Sequence, residues 1–313
     1  MDALRYIQKE AGDEFKPKIS LSLGSGLGSF AEDEDLDILQ VIPYSNIPNF
    51  PSTSVEGHSG NLILASLDEV DLVLLQGRIH PYEAFGWDEP QSRSLKWATL
   101  PLRVMKGLGV DAILTSCAVG AIDNDNNNIQ KGDIGLIIDH TDYIGCNPLM
   151  GLNDERFGPR FTGKKELYSS KIVGMFSDCM DNERLHPALY ITSPSTPQYE
   201  GVADIMRSPQ IEEVVTVQGM SYGMEAPVIT QCNENPCDQF GFDRPVEHLG
   251  FALFTNIIDT PDPLYPSKEE ILQGASVKSN PATHEEVMET GIDAQKYFVP
   301  AMKKFIRKIT TDL

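Results

Sequence analysis

One nearly continuous apolar run, Val110–Ser116, most constrains the fold that this chain can adopt. Apolar residues without alternation are typical of a central strand that is covered on both faces of its sheet. Small residues at Cys117–Ala121 are expected to end this strand, and a tight turn feeds another strand within Val55–Ala65. Further strands are predicted at Ile19–Leu23, Leu72–Leu75, Ile134–Ile138, Ala188–Thr192, Val214–Val217 and Phe251–Phe254. Because helix-like segments alternate with these runs and no linker or repeat interrupts them, residues 1–313 are predicted to form one α/β domain.

Two helical and two surface segments complete the predicted organisation. A helix is predicted over Ser92–Leu108, with a kink or break at Pro101, since proline cannot donate a backbone hydrogen bond. A long final helix is predicted over His284–Ile309, with apolar residues on one face. The stretches Gln231–His248 and Asp259–Pro281 are rich in polar residues and prolines, so we expect them to be surface insertions.

The acidic composition excludes two classes of partner. The chain has 46 Asp and Glu residues against 25 Lys and Arg residues, whereas nucleic acids and anionic membranes require basic surfaces. No run approaches the roughly 20 apolar residues of a membrane span, and Met1–Lys18 lacks the apolar core of a signal peptide. The cysteines are Cys117, Cys146, Cys179, Cys232 and Cys237. Without a C-x-x-C pair they predict reduced thiols, no metal site and a cytoplasmic protein.

A cluster of polar side chains directly follows the strand at Leu72–Leu75. The sequence there reads Gln-Gly-Arg-Ile-His-Pro-Tyr-Glu, which places Arg78, His80 and Tyr82 at alternating positions. Ligands of open α/β sheets bind at the carboxyl ends of the strands. An arginine offers a fork of donors for phosphate or carboxylate, and a histidine can move a proton near neutral pH. The cluster predicts an anion site beside a hydroxylated organic ligand.

Two glycine-rich turns add to this prediction. Gly24–Gly28 follows a predicted strand but is neither a Walker loop nor a dinucleotide fingerprint. Its small residues can still turn backbone N–H groups toward an anion, and the Ser25 hydroxyl adds a donor. His58 lies between glycines in a second sharp turn.

A second group of polar residues consists of Tyr199–Glu200 and Thr255–Asn256. Asn256 follows an apolar strand, where an amide is a suitable ligand contact, although asparagine is equally common in turns. Glu200 is one of many surface acids by composition alone. These residues predict nothing specific until they are considered together with the anion site.

Taken in order, these motifs resemble the trimeric purine nucleoside phosphorylases over nearly the whole chain. The matching segments are Gly24–Gly28, Val55–Gly60, Gln76–Glu83, Leu108–Asp111, Gly132–Asp133, Asp139–His140, Asn147–Gly158, Pro197–Glu200, Gly219–Ser221, Leu253–Asn256 and His284–Val287. The resemblance implies a central mixed, twisted β-sheet, partly barrel-like and flanked by α-helices. It also implies reversible phosphorolysis of purine nucleosides in purine salvage, by a homotrimer that needs inorganic phosphate as co-substrate and no metal or organic cofactor.

The same resemblance implies a role for each motif residue. Phosphate is assigned to Ser25, His58, Arg78, His80, Ser221 and the backbone of Ala118. The nucleoside is assigned to Tyr82, Tyr199, Glu200, Gln218, Met220, Thr255, Asn256 and His284. Asn256, Glu200, His58 and His80 are the expected catalytic residues. A carboxylate that accepts from N1–H and an amide near N7 and O6 predict a preference for inosine and guanosine.

Four positions depart from the family pattern. Cys117 replaces a common Asn, Ala121 a usual Gly, Gly201 a frequent Thr, and Gln218 a usually apolar residue beside the base. These changes affect base selectivity more than phosphate binding. Cys117 and Gln218 leave open a purine nucleoside-binding protein with weakened catalysis. A methylthioadenosine-type phosphorylase is the nearest alternative within the same fold, and Glu200 and Asn256 argue against it.

Overall fold

A computed structural model describes residues 1–24, 27–54, 58–84, 95–122, 128–143, 145–163, 166–192, 211–220, 222–234, 244–258, 266–275 and 282–312. These residues contain one sheet of nine strands, with the order β2-β3-β4-β1-β5-β8-β7-β6-β9. The strands are β1 (Ile19–Leu23), β2 (Asp37–Pro43), β3 (Asn61–Leu67), β4 (Val70–Gln76), β5 (Ala112–Ile122), β6 (Ile134–Asp142), β7 (Leu185–Thr192), β8 (Val215–Gly219) and β9 (Glu247–Ile258).

The described helices cover the sheet. They are α1 (Asp2–Ala11), α2 (Pro81–Ala84), α3 (Leu95–Ala98), α4 (Leu100–Leu108), α5 (Ser170–Ser177), α6 (Glu225–Asn233), α7 (Lys268–Leu272) and α8 (His284–Asp312). Short 3-10 turns lie at Gly28–Glu32, Tyr44–Asn46, Glu155–Phe157 and Asn182–Arg184. Thr283 and Glu286 explain where α8 begins, because each side chain accepts a hydrogen bond from the other's backbone N–H. Within the described helices, none is long and apolar enough to cross a membrane.

Strand β5 lies at the centre of the sheet and changes its partner along one edge. Its first half, Ala112–Thr115, pairs in parallel with β1, and its last residues, Gly120–Ile122, pair antiparallel with β8. Along the other edge, β5 pairs with β9 over its whole length. This pairing closes β5, β8, β7, β6 and β9 into a ring. The predicted mixed, partly barrel-like sheet is confirmed.

Three apolar clusters show how the sheet is covered. Helices α5 and α8 pack on one face through Phe176, Phe298 and Phe305, while α1, α4 and α6 contribute to a cluster on the other. A third cluster, which includes Val119 and Phe254, joins strands of the closed ring. Because residues of β5 belong to all three clusters, the prediction of a central strand covered on both faces is confirmed.

The strand ends differ most from prediction near β5. The small residues Cys117–Ala121 do not end the strand, which continues to Ile122. They are small because neighbouring strands approach closely: a Cβ at Gly120 would lie only 2.7 Å from Ile258 Cδ1. Strand β2 was not predicted from the sequence. Its Leu39 and Val41 are exposed, because an edge strand lacks the apolar pattern of a buried one.

The helical predictions are confirmed with small shifts. The helix predicted over Ser92–Leu108 is broken, but at Thr99, so that Pro101 lies in the first turn of α4, where its missing N–H costs nothing. Residues 92–94 are outside the described part of the chain. The final helix begins at His284 as predicted and extends three residues beyond Ile309, to Asp312.

The prediction that Gln231–His248 is a surface insertion was wrong at both ends of the segment. Gln231 is buried in α6, and His248 is buried at the start of β9, because each belongs to a core element. Residues 235–243 lie outside the described chain. Of Asp259–Pro281, residues 266–275 are described, and α7 within them exposes Ile271 and Leu272.

Candidate active site

The carboxyl ends of three adjacent parallel strands form one side of the candidate site. Strand β1 lies between β4 and β5. The Gly77 N–H donates to the Leu23 carbonyl at 3.3 Å, and the Gly24 N–H donates to Ser116 Oγ at 2.9 Å. These bonds hold the start of the glycine loop and of the Arg78 cluster against β5. The adjacent Ala118 is the only residue of β5 that is not buried, so the backbone is accessible at this point.

The two histidines and the tyrosine form a stack of three rings. The His58 and His80 rings lie 5.1 Å apart with an angle of 11° between their planes, and His80 and Tyr82 lie 4.9 Å apart at 14°. Gly77 permits this stack, since it has a φ of +101° and a Cβ there would lie 2.6 Å from His58 Cβ. The structure therefore brings together residues from two separate sequence motifs.

A carboxylate fixes the orientation of His80. Glu83 Oε2 accepts hydrogen bonds of 2.8 Å from His80 Nδ1 and from the His80 backbone N–H. Its Oε1 accepts from the backbone N–H and the hydroxyl of Ser54. Although burial opposes ionisation, these hydrogen bonds lower the pKa of Glu83 to about 2. Burial lowers the pKa of His80 and outweighs the effect of Glu83. Glu83 thus remains a carboxylate and keeps the His80 proton on Nδ1.

His58 presents a buried nitrogen atom that can accept a proton. Its Nδ1 donates to the Arg78 carbonyl at 3.1 Å, because a carbonyl can only accept. Its Nε2 is buried and has no hydrogen-bond partner among the described residues. Burial, and then the positive charge of His80 and Arg78, lower the pKa of His58 to about 4. At neutral pH the ring is uncharged, and Nε2 carries a lone pair.

Arg78 forms a buried ion pair with a residue distant in sequence. Its Nη1 lies 3.5 Å from Glu225 Oε1, and the two side chains are 11% and 6% exposed. Burial raises the pKa of Glu225, while Arg78 and backbone N–H groups, including that of Gly223, oppose the rise. The pair holds the guanidinium at the end of β4 and keeps the charges of both groups compensated.

A polar network inside the ring of strands lies behind Arg78. The guanidinium carbon is 5.7 Å from the centre of the Tyr222 ring. The Tyr222 hydroxyl is 2.7 Å from Thr115 Oγ1 and 3.2 Å from His248 Nε2, and His248 Nδ1 donates to the Leu167 carbonyl. The Tyr222, Thr115 and His248 side chains are thus hydrogen-bonded within the protein, and the network supports Arg78.

Two amide side chains lie near the carboxyl-terminal end of β5, one on each edge of the strand. Gly120 is in register with Gln218 of β8 and with Asn256 of β9. A Cβ at Gly120 would lie 3.1 Å from Asn256 Nδ2, so the glycine makes room for this amide. Thr255 Oγ1 donates to the Val119 carbonyl at 3.1 Å. This end of β5 therefore has an anion side, where the glycine loop and the Arg78 cluster lie beside Ser116, and an amide side around Gly120.

The remaining predicted site residues are placed less fully. Met220 follows the last residue of β8. His284 is the first residue of α8, and its side chain is exposed, unlike those of the buried site residues His80 and Asn256. The residues Ser25, Tyr199, Glu200 and Ser221 lie outside the described part of the chain, as does Gly201. Cys117, one of the departures from the family pattern, is buried in β5, and burial raises the pKa of its thiol to about 12.

Three residues that shape the site were not predicted from the sequence, namely Glu83, Glu225 and Tyr222. Glu83 could have been found, since it lies three residues after His80 and such pairs meet within one helical turn. Glu225 gave no signal, because its partner is 147 residues away. Tyr222 likewise follows a predicted motif but contacts Arg78 only through the fold.

The buried histidines predict a loss of stability in acid. Burial lowers the pKa of His248 to about 4, as it does for His58. In the unfolded chain, histidine has a pKa of about 6.5. The unfolded chain thus binds more protons between these values, and the free energy of unfolding falls as pH drops from about 6.5 to 4. Urea unfolding at several pH values measures this slope.

A His248→Asn variant is the matched control, because it keeps a donor for Leu167 and removes one titrating group. Its slope should be shallower by up to about 1.4 kcal/mol per pH unit. An unchanged slope would show that His248 does not remain neutral in the folded chain.

Known proteins with sequences similar to this chain belong to one group of enzymes. The model of the Phosphorylase superfamily matches residues 21–235. Purine nucleoside phosphorylase 1 of Geobacillus stearothermophilus is 32% identical over 296 residues, which are 94% of this chain and 92% of that protein. Purine nucleoside phosphorylase of Rattus norvegicus is 32% identical over 287 residues, 88% of this chain and 83% of that protein.

Solved structures of the same group share the fold. The purine nucleoside phosphorylase of Schistosoma mansoni in complex with inosine has a TM-score of 0.73 and 28% identity, over 98% of this chain and 94% of that chain. Its complex with adenosine has a TM-score of 0.74 and 29% identity, over 98% and 95% of the two chains.

Proposed function

We propose a mechanism and a base preference for this chain, which belongs to the phosphorylase superfamily and is a pentosyltransferase of the purine nucleoside phosphorylase type. The proposed reaction is the reversible phosphorolysis of inosine and guanosine, and of their deoxy forms, to the free base and the (deoxy)ribose 1-phosphate. The observation that carries it is that the same end of β5 adjoins the His58–Arg78–His80 group, through the Gly24–Ser116 bond, and the Gln218–Asn256 amides, at Gly120.

The anion side supports phosphate as the attacking group. Arg78 supplies a buried positive charge at the strand ends, where the accessible Ala118 backbone also lies. The neutral Nε2 of His58 can accept the P–O–H hydrogen of a phosphate dianion. These contacts favour a phosphate that keeps one proton and presents its unprotonated oxygens to the sugar. The chain as a whole has a net charge of −21, so this attraction must be local.

The amide side supports departure of the base. Cleavage of a glycosidic bond passes through a sugar that resembles an oxocarbenium ion, which a phosphate held below C1′ stabilises and then attacks. The leaving purine gains negative charge on N7 and O6. The buried Asn256 amide, at the end of β9, can donate to these atoms and so lower the barrier.

The proposed preference for 6-oxopurines rests on Glu200 and Asn256. A carboxylate accepts a hydrogen bond from N1–H of hypoxanthine or guanine, whereas adenine has a lone pair at N1. Sites that require such bonds can reject analogues by roughly 10⁴–10⁵. Gln218, which is buried beside Gly120, is the residue that could weaken this selection. The proposal also includes a homotrimer in the cytoplasm that acts in purine salvage without a metal or organic cofactor.

Release of purine from inosine, guanosine and adenosine, with and without phosphate, tests the proposal. We expect phosphate-dependent cleavage of inosine and guanosine and no turnover of adenosine. Turnover of adenosine would contradict the preference for 6-oxopurines and would indicate that Gln218 changes which base the site accepts. Cleavage without phosphate would indicate a hydrolase, and no cleavage of any nucleoside would favour a nucleoside-binding protein.

The Glu200→Gln variant tests the base contact separately. We expect weaker inosine binding, because an amide oxygen is a poorer acceptor for N1–H than a carboxylate. The loss should be about 10- to 100-fold in Kd, as for one hydrogen bond to a charged group. Fluorescence titration with inosine measures it, and phosphate affinity serves as the internal control. Unchanged inosine affinity would remove Glu200 from the base site.

A further inference from the structure

A second cavity, with charged and apolar residues in its wall, lies apart from the residues assigned to the substrates. Its volume is about 170 Å³, and it is lined by residues of α3, α4 and α6 and of the segment 148–157. One water needs roughly 10–15 Å³ of such space, so the cavity can hold a small ion together with water. Its wall includes the cations Lys96 and Arg103, the Asn153 amide and the carboxylate of Asp154.

Arg103 is a buried cation without a counter-ion in the described part of the chain. It is 8% exposed, and its Nη1 donates to Thr99 Oγ1 at 3.1 Å. The guanidinium carbon lies 5.2 Å from the centre of the Phe157 ring. Its buried Nε has no hydrogen-bond partner, and none of the ion pairs among the described residues includes it. Buried charges are normally paired, whereas Arg103 has no anion at ion-pair distance among the described residues.

The neighbouring charges make the cavity positive. Among the described residues, Lys96 donates to the Leu152 carbonyl, and burial followed by the charges of Arg103 and Arg160 lowers its pKa. The charge of Asp154 acts on Lys96 and Arg103 in the opposite sense, but Arg156 binds both of its carboxylate oxygens, at 2.8 and 2.6 Å. One carboxylate therefore faces three cations, although the chain as a whole has a net charge of −21.

We propose that this cavity is a second oxyanion site, which binds inorganic phosphate or the phosphoryl group of a small phosphate ester. Arg103 supplies a guanidinium N–H directed by its bond to Thr99 and its contact with Phe157, and Lys96 adds a second charge. A tetrahedral anion with several acceptor oxygens suits these donors, which approach from different helices. Thr99, which accepts the hydrogen bond from Arg103, also lines the small cavity beside Arg78 and Glu225, so one residue connects Arg103 with the candidate active site.

The number of bound sulfate ions per chain tests this proposal. Isothermal titration of the unmodified protein and of Arg103→Met should differ by one sulfate per chain. This difference does not depend on whether Arg78 binds another ion. The experiment therefore tests the second site separately from the proposed reaction. Arg103→Lys keeps the charge and should retain the second ion with affinity reduced about 10-fold or more, as for one lost charged hydrogen bond. Equal stoichiometry in the unmodified protein and Arg103→Met would overturn the proposal.

Crystals of the unmodified protein soaked in tungstate provide a test that needs no variant. The anomalous signal of tungsten should lie within hydrogen-bond distance of Arg103. A signal elsewhere but none in this cavity would overturn the proposal even if Arg103→Met failed to fold. Competition of sulfate with inorganic phosphate and with ribose 5-phosphate then identifies the source: tighter binding of the ester assigns the cavity to phosphate monoesters, and equal binding assigns it to the free ion.

Discussion

The Asn256→Ala variant is expected to lower kcat for inosine by about 10²–10³, as for the loss of one donor that stabilises a developing anion. Asn256 is buried at the end of β9, beside Gly120. Its amide is placed to donate to the purine as negative charge builds up on the leaving base. Because this charge exists mainly in the transition state, the effect falls on kcat more than on inosine KM. Phosphate affinity should change much less, since the residues proposed to bind phosphate follow β4 and β1, whereas Asn256 lies in β9 on the opposite edge of β5.

Thr255→Ser is the matched control for this experiment. Serine keeps the hydroxyl that donates to the Val119 carbonyl, so the path of β9 is preserved and kcat should stay close to that of the unmodified enzyme. Steady-state kinetics with varied inosine and varied phosphate measures both effects. Equal losses in kcat and in phosphate affinity would show that Asn256 supports the whole site and does not act on the base.

The parts of the fold that the sequence predicted are those set by local pattern. Ile19–Leu23 is a strand with the predicted bounds, because every one of its residues is buried between two parallel neighbours. The long final helix has a capping pair at Thr283 and Glu286 and an apolar face over β-strands. Such features depend on residues that are close together in the chain, so they can be predicted from a single sequence.

Closure of the ring could not be predicted in the same way. It depends on the pairing of β5 with both β8 and β9, which lie far along the chain. The sequence showed small residues at Cys117–Ala121, and turns and tightly packed strands both require small residues. Only the positions of Ile258 and Asn256 against Gly120 decide between them.

In the candidate site as well, the residues set by local pattern could be predicted and those brought together by the fold could not. The cluster at Arg78 and His80 was visible because alternating polar residues follow one strand. The partner of Arg78, Glu225, was not visible, since it comes from a helix after a different strand. A motif therefore predicts the groups that meet a ligand better than the groups that hold them in place.

The Arg78→Met variant should lose both phosphate binding and stability. Removing the guanidinium leaves Glu225, whose side chain is 6% exposed, as a buried carboxylate without its cation. Breaking a buried pair in this way costs about 3–5 kcal/mol in the free energy of unfolding. The loss of a charged hydrogen bond should also raise the phosphate KM by about 10- to 100-fold. Urea unfolding and steady-state kinetics measure the two effects separately.

Comparison with Glu225→Gln and with the double variant separates support from binding. Glu225→Gln should also destabilise the fold, because Arg78 then lacks its carboxylate, but it should retain most of the phosphate affinity. The double variant buries no unpaired charge, so its free energy of unfolding should recover relative to either single variant, while phosphate binding stays weak. Recovery of stability without recovery of phosphate binding would assign the two roles to different residues. Additive losses of stability in the double variant would show that the two side chains are not coupled.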